Sequence, residues 1–97
     1  VGAMFEAALA EFGTLDVLMN NAGVDASGTP VAELSTEVWD RAIRTNVYGY
    51  SFCCRRFARS GWREVAAGKI INLSSVYADN PHPAGSDYDC SKGAIRC

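Results

Sequence analysis

Residues 88–92 read Tyr-Asp-Cys-Ser-Lys, a phenol followed four positions later by an ammonium group. Positions four apart on a helix share a face. A free phenol has a pKa of about 10 and is a poor base at neutral pH. A cation within about 4–6 Å favours phenolate and brings that value down by about 1–3. A nearby helix N-terminus pushes the same way. Tyr88 and Lys92 therefore form a candidate general acid–base pair. The same stretch also reads as the first turn of an ordinary helix, and pairs at this spacing arise often by chance.

Other polar positions bear on the choice. Ser75 stands thirteen positions before Tyr88 and offers a hydroxyl that can bond a substrate oxygen as its charge changes. Asn46 falls on the apolar stripe of the middle helix, between Ile43 and Tyr50. A buried amide there costs about 1–3 kcal/mol if it finds no partner. Two readings stay open for it: a structural asparagine bonded to neighbouring backbone, or a group that holds a water or distorts the helix beside a site. Gly49 would let another backbone come close or let the helix deviate.

The elements that must position these groups follow the order helix, strand, helix, strand, helix. VGAMFEAALAEFG is a helix with apolar Met4, Phe5, Ala8, Leu9 and Phe12, closed by Gly13. LDVLMN (15–20) and KIINLS (69–74) are short apolar runs fit for buried strands. The middle helix runs from about Ser35, its N-cap, to about Arg59, with Trp39, Ile43, Tyr50, Cys53 and Phe57 on the buried stripe. The last helix begins with Ser86 or Asp87 as cap. Strands alternating with helices predict an α/β fold with a parallel sheet covered on both faces. In such sheets the ligand lies beyond the carboxyl ends of the strands. That places the site at NNAG (20–23) and at SSVYADN (74–80). Both ends of the chain fall inside helices, so residues 1–97 are expected to be one partial domain cut at both ends.

Composition excludes several classes. A net charge of −2 gives no footprint for nucleic acid or an anionic membrane. Arg55, Arg56, Arg59 and Arg63 read as cations complementing the end of a helix. No apolar run reaches membrane-spanning length, and no secretory signal opens the chain. Cys53, Cys54, Cys90 and Cys97 form no C-x-x-C pair and the lone His82 is remote from them, so no zinc site is expected. The cysteines read as reduced thiols of a cytoplasmic protein.

Taken together, LDVLMNNAGV, RTNVYGY, KIINLSSV and YDCSKGAI resemble the short-chain dehydrogenase/reductase family, in the family's order and over nearly the whole chain. The resemblance implies the central part of a Rossmann-like, doubly wound parallel sheet. It implies NAD or NADP as cofactor and a small-molecule alcohol or carbonyl as substrate. By it, Asn46, Ser75, Tyr88 and Lys92 are catalytic. Tyr88 exchanges the proton, Lys92 also bonds the nicotinamide ribose, and Asn46 holds a water linking Lys92 to solvent. Asn21, Ala22 and Gly23 pack beside the cofactor's adenosine half, with Asn21 also bracing the sheet. Hydride must come from the cofactor, since no side chain donates one.

The family's glycine-rich phosphate loop and the position that selects NAD or NADP do not occur in these residues. The 97 residues alone are therefore expected to be inactive. YDCSKG and SSV are most similar to the glucose dehydrogenase and 3-oxoacyl reductase branches. Loop 76–87, with Tyr77, Asp79 and His82, is expected to shape the substrate pocket. A homo-oligomer, dimer or tetramer, is expected through the middle and final helices. The alternative is a non-catalytic relative that binds a nucleotide or a partner subunit.

Overall fold

The computed structural model describes residues 1–60 and 68–96. Arg63 and Cys97 lie outside the described residues. The elements are α1 (Gly2–Phe12), β1 (Val17–Asn20), α2 (Thr36–Ile43), α3 (Gly49–Arg59), β2 (Lys69–Asn72) and α4 (Ser86–Ala94). β1 and β2 pair in parallel, with Val17 opposite Lys69 and Asn20 opposite Asn72. Both carboxyl ends therefore emerge at the same edge, as the alternating pattern predicts.

Helix ends follow local chemistry. Gly13 adopts φ 75° and its N–H closes α1 onto the Leu9 carbonyl at 2.8 Å. That left-handed conformation is open to glycine without steric cost. Ser35 caps α2, its hydroxyl accepting from the Val38 N–H at 3.3 Å. The expected cap of α4 is corrected: Gly85 stands at the N-cap, and Ser86 and Asp87 lie inside the first turn. The carboxylates of Asp87 and Asp89 there face the positive end of the helix dipole.

The middle helix is continuous but not uniform. Between α2 and α3, residues Arg44–Tyr48 form a π-helical turn, closed by the Gly49 N–H on the Arg44 carbonyl. Its cause is in the spacing of the buried residues Ala42, Asn46 and Tyr50. Two successive steps of four drift by about 80° on a regular helix at about 100° per residue. The wider turn takes up that drift and keeps all three facing inward. The helix thus deviates at Asn46, one of the two outcomes expected there. No second backbone comes close at Gly49, where an added Cβ would meet only Arg44 O at an ordinary 3.9 Å.

The core is small: Phe5, Ala42, Tyr50 and Phe57 are buried. Trp39, Ile43 and Cys53, expected beside them, are half-buried, and Met4 and Phe12 of α1 are exposed. The strands depart most from expectation. Val17, Met19 and Ile71 share the face turned away from α3 and are 46–57% exposed, and Ile70, on the α3 side with Leu18, is still 44% exposed. Arg56 reaches Glu6 of α1 at 3.6 Å, so that cation ties two helices together besides ending one.

Candidate active site

The first strand ends on a buried asparagine. Asn20 Nδ2 donates to Asn72 Oδ1 at 2.8 Å and to Cys54 Sγ at 3.2 Å, locking β1 to β2 and to α3. The Leu73 N–H continues the pairing onto the Asn20 carbonyl at 3.1 Å. The bracing expected of Asn21 is therefore made by Asn20. Side chains alternate along a strand, and only one of two adjacent asparagines can face α3. Asn21 is exposed and lines a cleft of about 350 Å³ with Gly23, Val24, Leu73, Ser74, Tyr88 and Lys92. Ala22 is exposed and does not line it.

Asn46 is fully buried and makes three hydrogen bonds. Its Oδ1 accepts from the Val24 N–H at 2.8 Å, and its Nδ2 donates to the Val24 carbonyl at 3.0 Å and to Ser91 Oγ at 2.9 Å. Ser91 Oγ in turn donates to the Tyr88 carbonyl at 2.7 Å. One amide thus joins the loop after β1 to the backbone of the helix that carries Tyr88 and Lys92. Gly23 allows the close approach: a Cβ there would sit 3.3 Å from Asn46 Oδ1 and 3.7 Å from Lys92 Nζ.

Lys92 is only 5% exposed. Its Nζ donates to the Leu73 carbonyl at 2.9 Å, which also accepts from the Tyr50 hydroxyl at 2.9 Å. The ammonium lies 5.6 Å from the centre of the Tyr88 ring and 5.7 Å from that of Tyr50. Burial pushes the Lys92 ammonium below its ordinary pKa. Burial also holds the Tyr50 phenol above its own, which keeps it a neutral donor. Tyr88 is half-buried, and its hydroxyl makes no hydrogen bond among the described residues.

Ser74 and Ser75 have separate partners. Ser74 Oγ donates to the Lys92 carbonyl at 2.9 Å and so pins α4 to the end of β2. Ser75 Oγ accepts from the Tyr77 N–H at 3.2 Å, capping a short 3₁₀ turn over Val76–Ala78. Ser75 does not line the cleft that Tyr88 and Lys92 share. A larger cleft of about 460 Å³, mostly apolar, opens on the other side of α4 between Tyr77, His82, Asp89 and Cys90. It contains neither Tyr88 nor Lys92, so its size does not make it the chemical centre.

Sequence reasoning missed Asn20, Tyr50, Ser91, Asp87 and Asp89 as groups that hold the site. Asp87 is 1% exposed and its Oδ2 accepts from the Ser27 N–H at 3.2 Å. The three residues of α4 were polar in a helix expected to bury a face, and that conflict was the available signal. Among the described residues no group of three or more His, Cys, Asp or Glu side chains gathers as a metal centre. No helix there is long and apolar enough to cross a membrane.

A parallel strand pair with α4 carrying a phenol and an ammonium group into a cleft at the strands' shared carboxyl edge fits a doubly wound α/β protein. Comparison with known proteins carries this further. The family model for short chain dehydrogenases matches residues 1–97. Glucose 1-dehydrogenase 2 of Bacillus subtilis is 34% identical over 96 residues, covering 99% of this chain and 37% of that protein. 3beta-Hydroxysteroid dehydrogenase 1 of Eggerthella lenta is 39% identical over 95 residues, covering 98% of this chain and 36% of that protein. The solved 3-ketoacyl-(acyl-carrier-protein) reductase from Brucella melitensis, complexed with NADH, superposes with a TM-score of 0.89 at 30% identity, over 97% of this chain and 40% of that one. ElxO with NADP bound gives a TM-score of 0.84 at 31% identity, over 96% and 37%. The chain belongs to the short chain dehydrogenase family. It spans little more than a third of the length of the curated relatives it matches.

Proposed function

We propose that the protein containing this chain interconverts an alcohol and a carbonyl by hydride transfer with NAD or NADP, using Tyr88 as general acid and base. The observation that carries this reading is the shared cleft of Tyr88 and Lys92, with the ammonium 5.6 Å from the ring centre. In the oxidising direction Tyr88 Oη takes the proton from the substrate hydroxyl as hydride leaves the carbinol carbon. In reduction it returns the proton to the new alkoxide. The nicotinamide, when bound, accepts or supplies the hydride.

The residues present fit such a cofactor. An ammonium has three donors, and the Leu73 carbonyl takes one of those of Lys92. The other two N–H groups have no acceptor among the described residues and suit ribose hydroxyls. Gly23 leaves open the space beside Lys92 that a side chain would fill. The Ser75 O–H has no acceptor among the described residues, but Ser75 lies outside the cleft of Tyr88 and Lys92, so its bond to a substrate oxygen rests on the family resemblance alone. Asn46 has spent both amide hydrogens, so the water proposed between it and Lys92 would rest on the second lone pair of Oδ1. A glucose dehydrogenase and a 3-ketoacyl reductase among the matches support a sugar or an oxoacyl compound as substrate.

The test is Tyr88→Phe in the full-length enzyme. The substitution removes one hydroxyl, and turnover should fall by at least about a hundredfold. Cofactor binding, followed by fluorescence titration, should stay within about twofold, since no charge is lost. Turnover within about tenfold of the parent would sink the assignment of Tyr88, whereas a full-length parent with no turnover would favour a non-catalytic binding module.

A further inference from the structure

We propose that Asp89 and His82 form a clip that fixes the Tyr77 ring beside Tyr88 and thereby sets substrate affinity, a role that rests on the reading of Tyr88 given above. Asp89 is 6% exposed, although it is a carboxylate one residue from Tyr88. Its Oδ2 accepts from the His82 backbone N–H at 2.9 Å, and both its oxygens lie 3.2 Å from His82 Nδ1. An ionised carboxylate only accepts, and in that form Nδ1 is the donor to Asp89; otherwise the roles follow the imidazole tautomer. Further chain packed against this site can add contacts, but a group already buried stays buried.

The clip transmits to the Tyr77 ring. The His82 ring stacks on Tyr77, with centroids 4.4 Å apart and planes 30° from parallel. Tyr77 meets Tyr88 edge-on, at 6.5 Å and 74°. Two further features show that the loop is built to hold this position. Ala84 adopts φ 59°, a left-handed conformation that costs a non-glycine residue about 1–2 kcal/mol and persists only where its surroundings impose it. Gly85 lies so close under the imidazole that any Cβ there would strike the ring. The Gly85 backbone at φ −116° would accept alanine without strain. Gly85 is therefore needed for the ring above it and not for its own conformation.

Asp89 is a positioning residue: it acts on the site through His82 and Tyr77. The test is a double-mutant cycle in the full-length enzyme with Gly85→Ala, His82→Ala and both together. Each single change should raise the substrate KM about fivefold, the worth of one aromatic contact, with kcat and the cofactor KM within about twofold. The double variant should be no worse than His82→Ala, because without the imidazole the added methyl group has nothing to strike. Asp89→Asn keeps an acceptor for the His82 backbone N–H, its NH2 can donate to Nδ1 in the other imidazole tautomer, and it should stay near the parent, whereas Asp89→Ala should speed hydrogen exchange of the His82 amide at least about tenfold.

An unchanged substrate KM in Gly85→Ala overturns the proposal. So do additive effects in the double variant, or equal losses in kcat and cofactor KM. Should Gly85→Ala fail to fold, the His82 amide exchange in Asp89→Ala decides alone, and an unchanged rate there is equally fatal. The cycle and the Tyr88→Phe experiment separate the two readings. A Tyr88→Phe enzyme that keeps its turnover removes the general acid but leaves the cycle readable. A dead Tyr88→Phe enzyme with an unresponsive cycle removes only the clip.

Discussion

Asn46 pairs with both the N–H and the carbonyl of Val24, at 2.8 and 3.0 Å, as a strand would. A side chain here takes the place of backbone pairing for a loop that has left the sheet. Asn46→Ala would strand two half-buried backbone groups of Val24, each worth up to about 1–3 kcal/mol when unmatched. The expected loss is about 2–4 kcal/mol in urea denaturation of the full-length protein. A variant within about 0.5 kcal/mol of the parent would show that Val24 finds water instead.

Adjacent Asn20 and Asn21 should give opposite phenotypes. Asn20→Ala breaks the bond to Asn72 and the contact with Cys54, and should cost about 1–3 kcal/mol of stability with little change in cofactor affinity. Asn21→Ala touches an exposed side chain at the cleft and should leave stability within about 0.5 kcal/mol while weakening cofactor binding. Thermal melting and cofactor titration of the two variants check this, and reversed phenotypes would refute the division of labour.

The depressed titration of Lys92 has a signed consequence for stability. Burial lowers its pKa in the folded protein, so in the window between the folded value and the ordinary 10.5 the unfolded chain binds more protons. Stability therefore rises with pH through that window. The stability of the parent relative to Lys92→Met should increase between pH about 7 and about 10. Tyr50, whose titration is raised by burial, contributes with the opposite sign, and the comparison between variants cancels it as long as its surroundings are kept. Urea denaturation at the two pH values is the measurement, and a difference that shrinks as pH rises would contradict the assignment.

The face of the π turn and α3 that points away from the core is proposed as a subunit contact. Tyr48 and Phe52 are 51% and 47% exposed, their centroids 6.0 Å apart, and Arg55 lies over Phe52 at 5.8 Å. Paired exposed aromatics beside an arginine are typical of interface centres. Phe52→Glu in the full-length protein should shift sedimentation toward the monomer at micromolar concentration. An unchanged assembly places the interface elsewhere.

The order of elements, the Ser35 and Gly13 helix ends and the family resemblance were legible because each depends on local pattern: periodicity, caps and short motifs. The spacing of Tyr88 and Lys92 likewise sufficed to put both on one face. The π turn was half legible, since a polar residue on an apolar stripe announced a conflict but not its resolution. What the sequence could not supply was the partner of each polar group. Whether Asn20 or Asn21 braced the sheet depended on the direction of one side chain at a strand end. That Asp89 would hold His82, and Asn46 would hold Val24 and Ser91, depended on loops brought together across spacings of 7, 22 and 45 residues. Helical and strand patterns record burial along the chain, and hydrogen bonds between distant segments leave no periodic trace. They are set only when tertiary packing removes water from a polar group and the nearest donor or acceptor has to replace it.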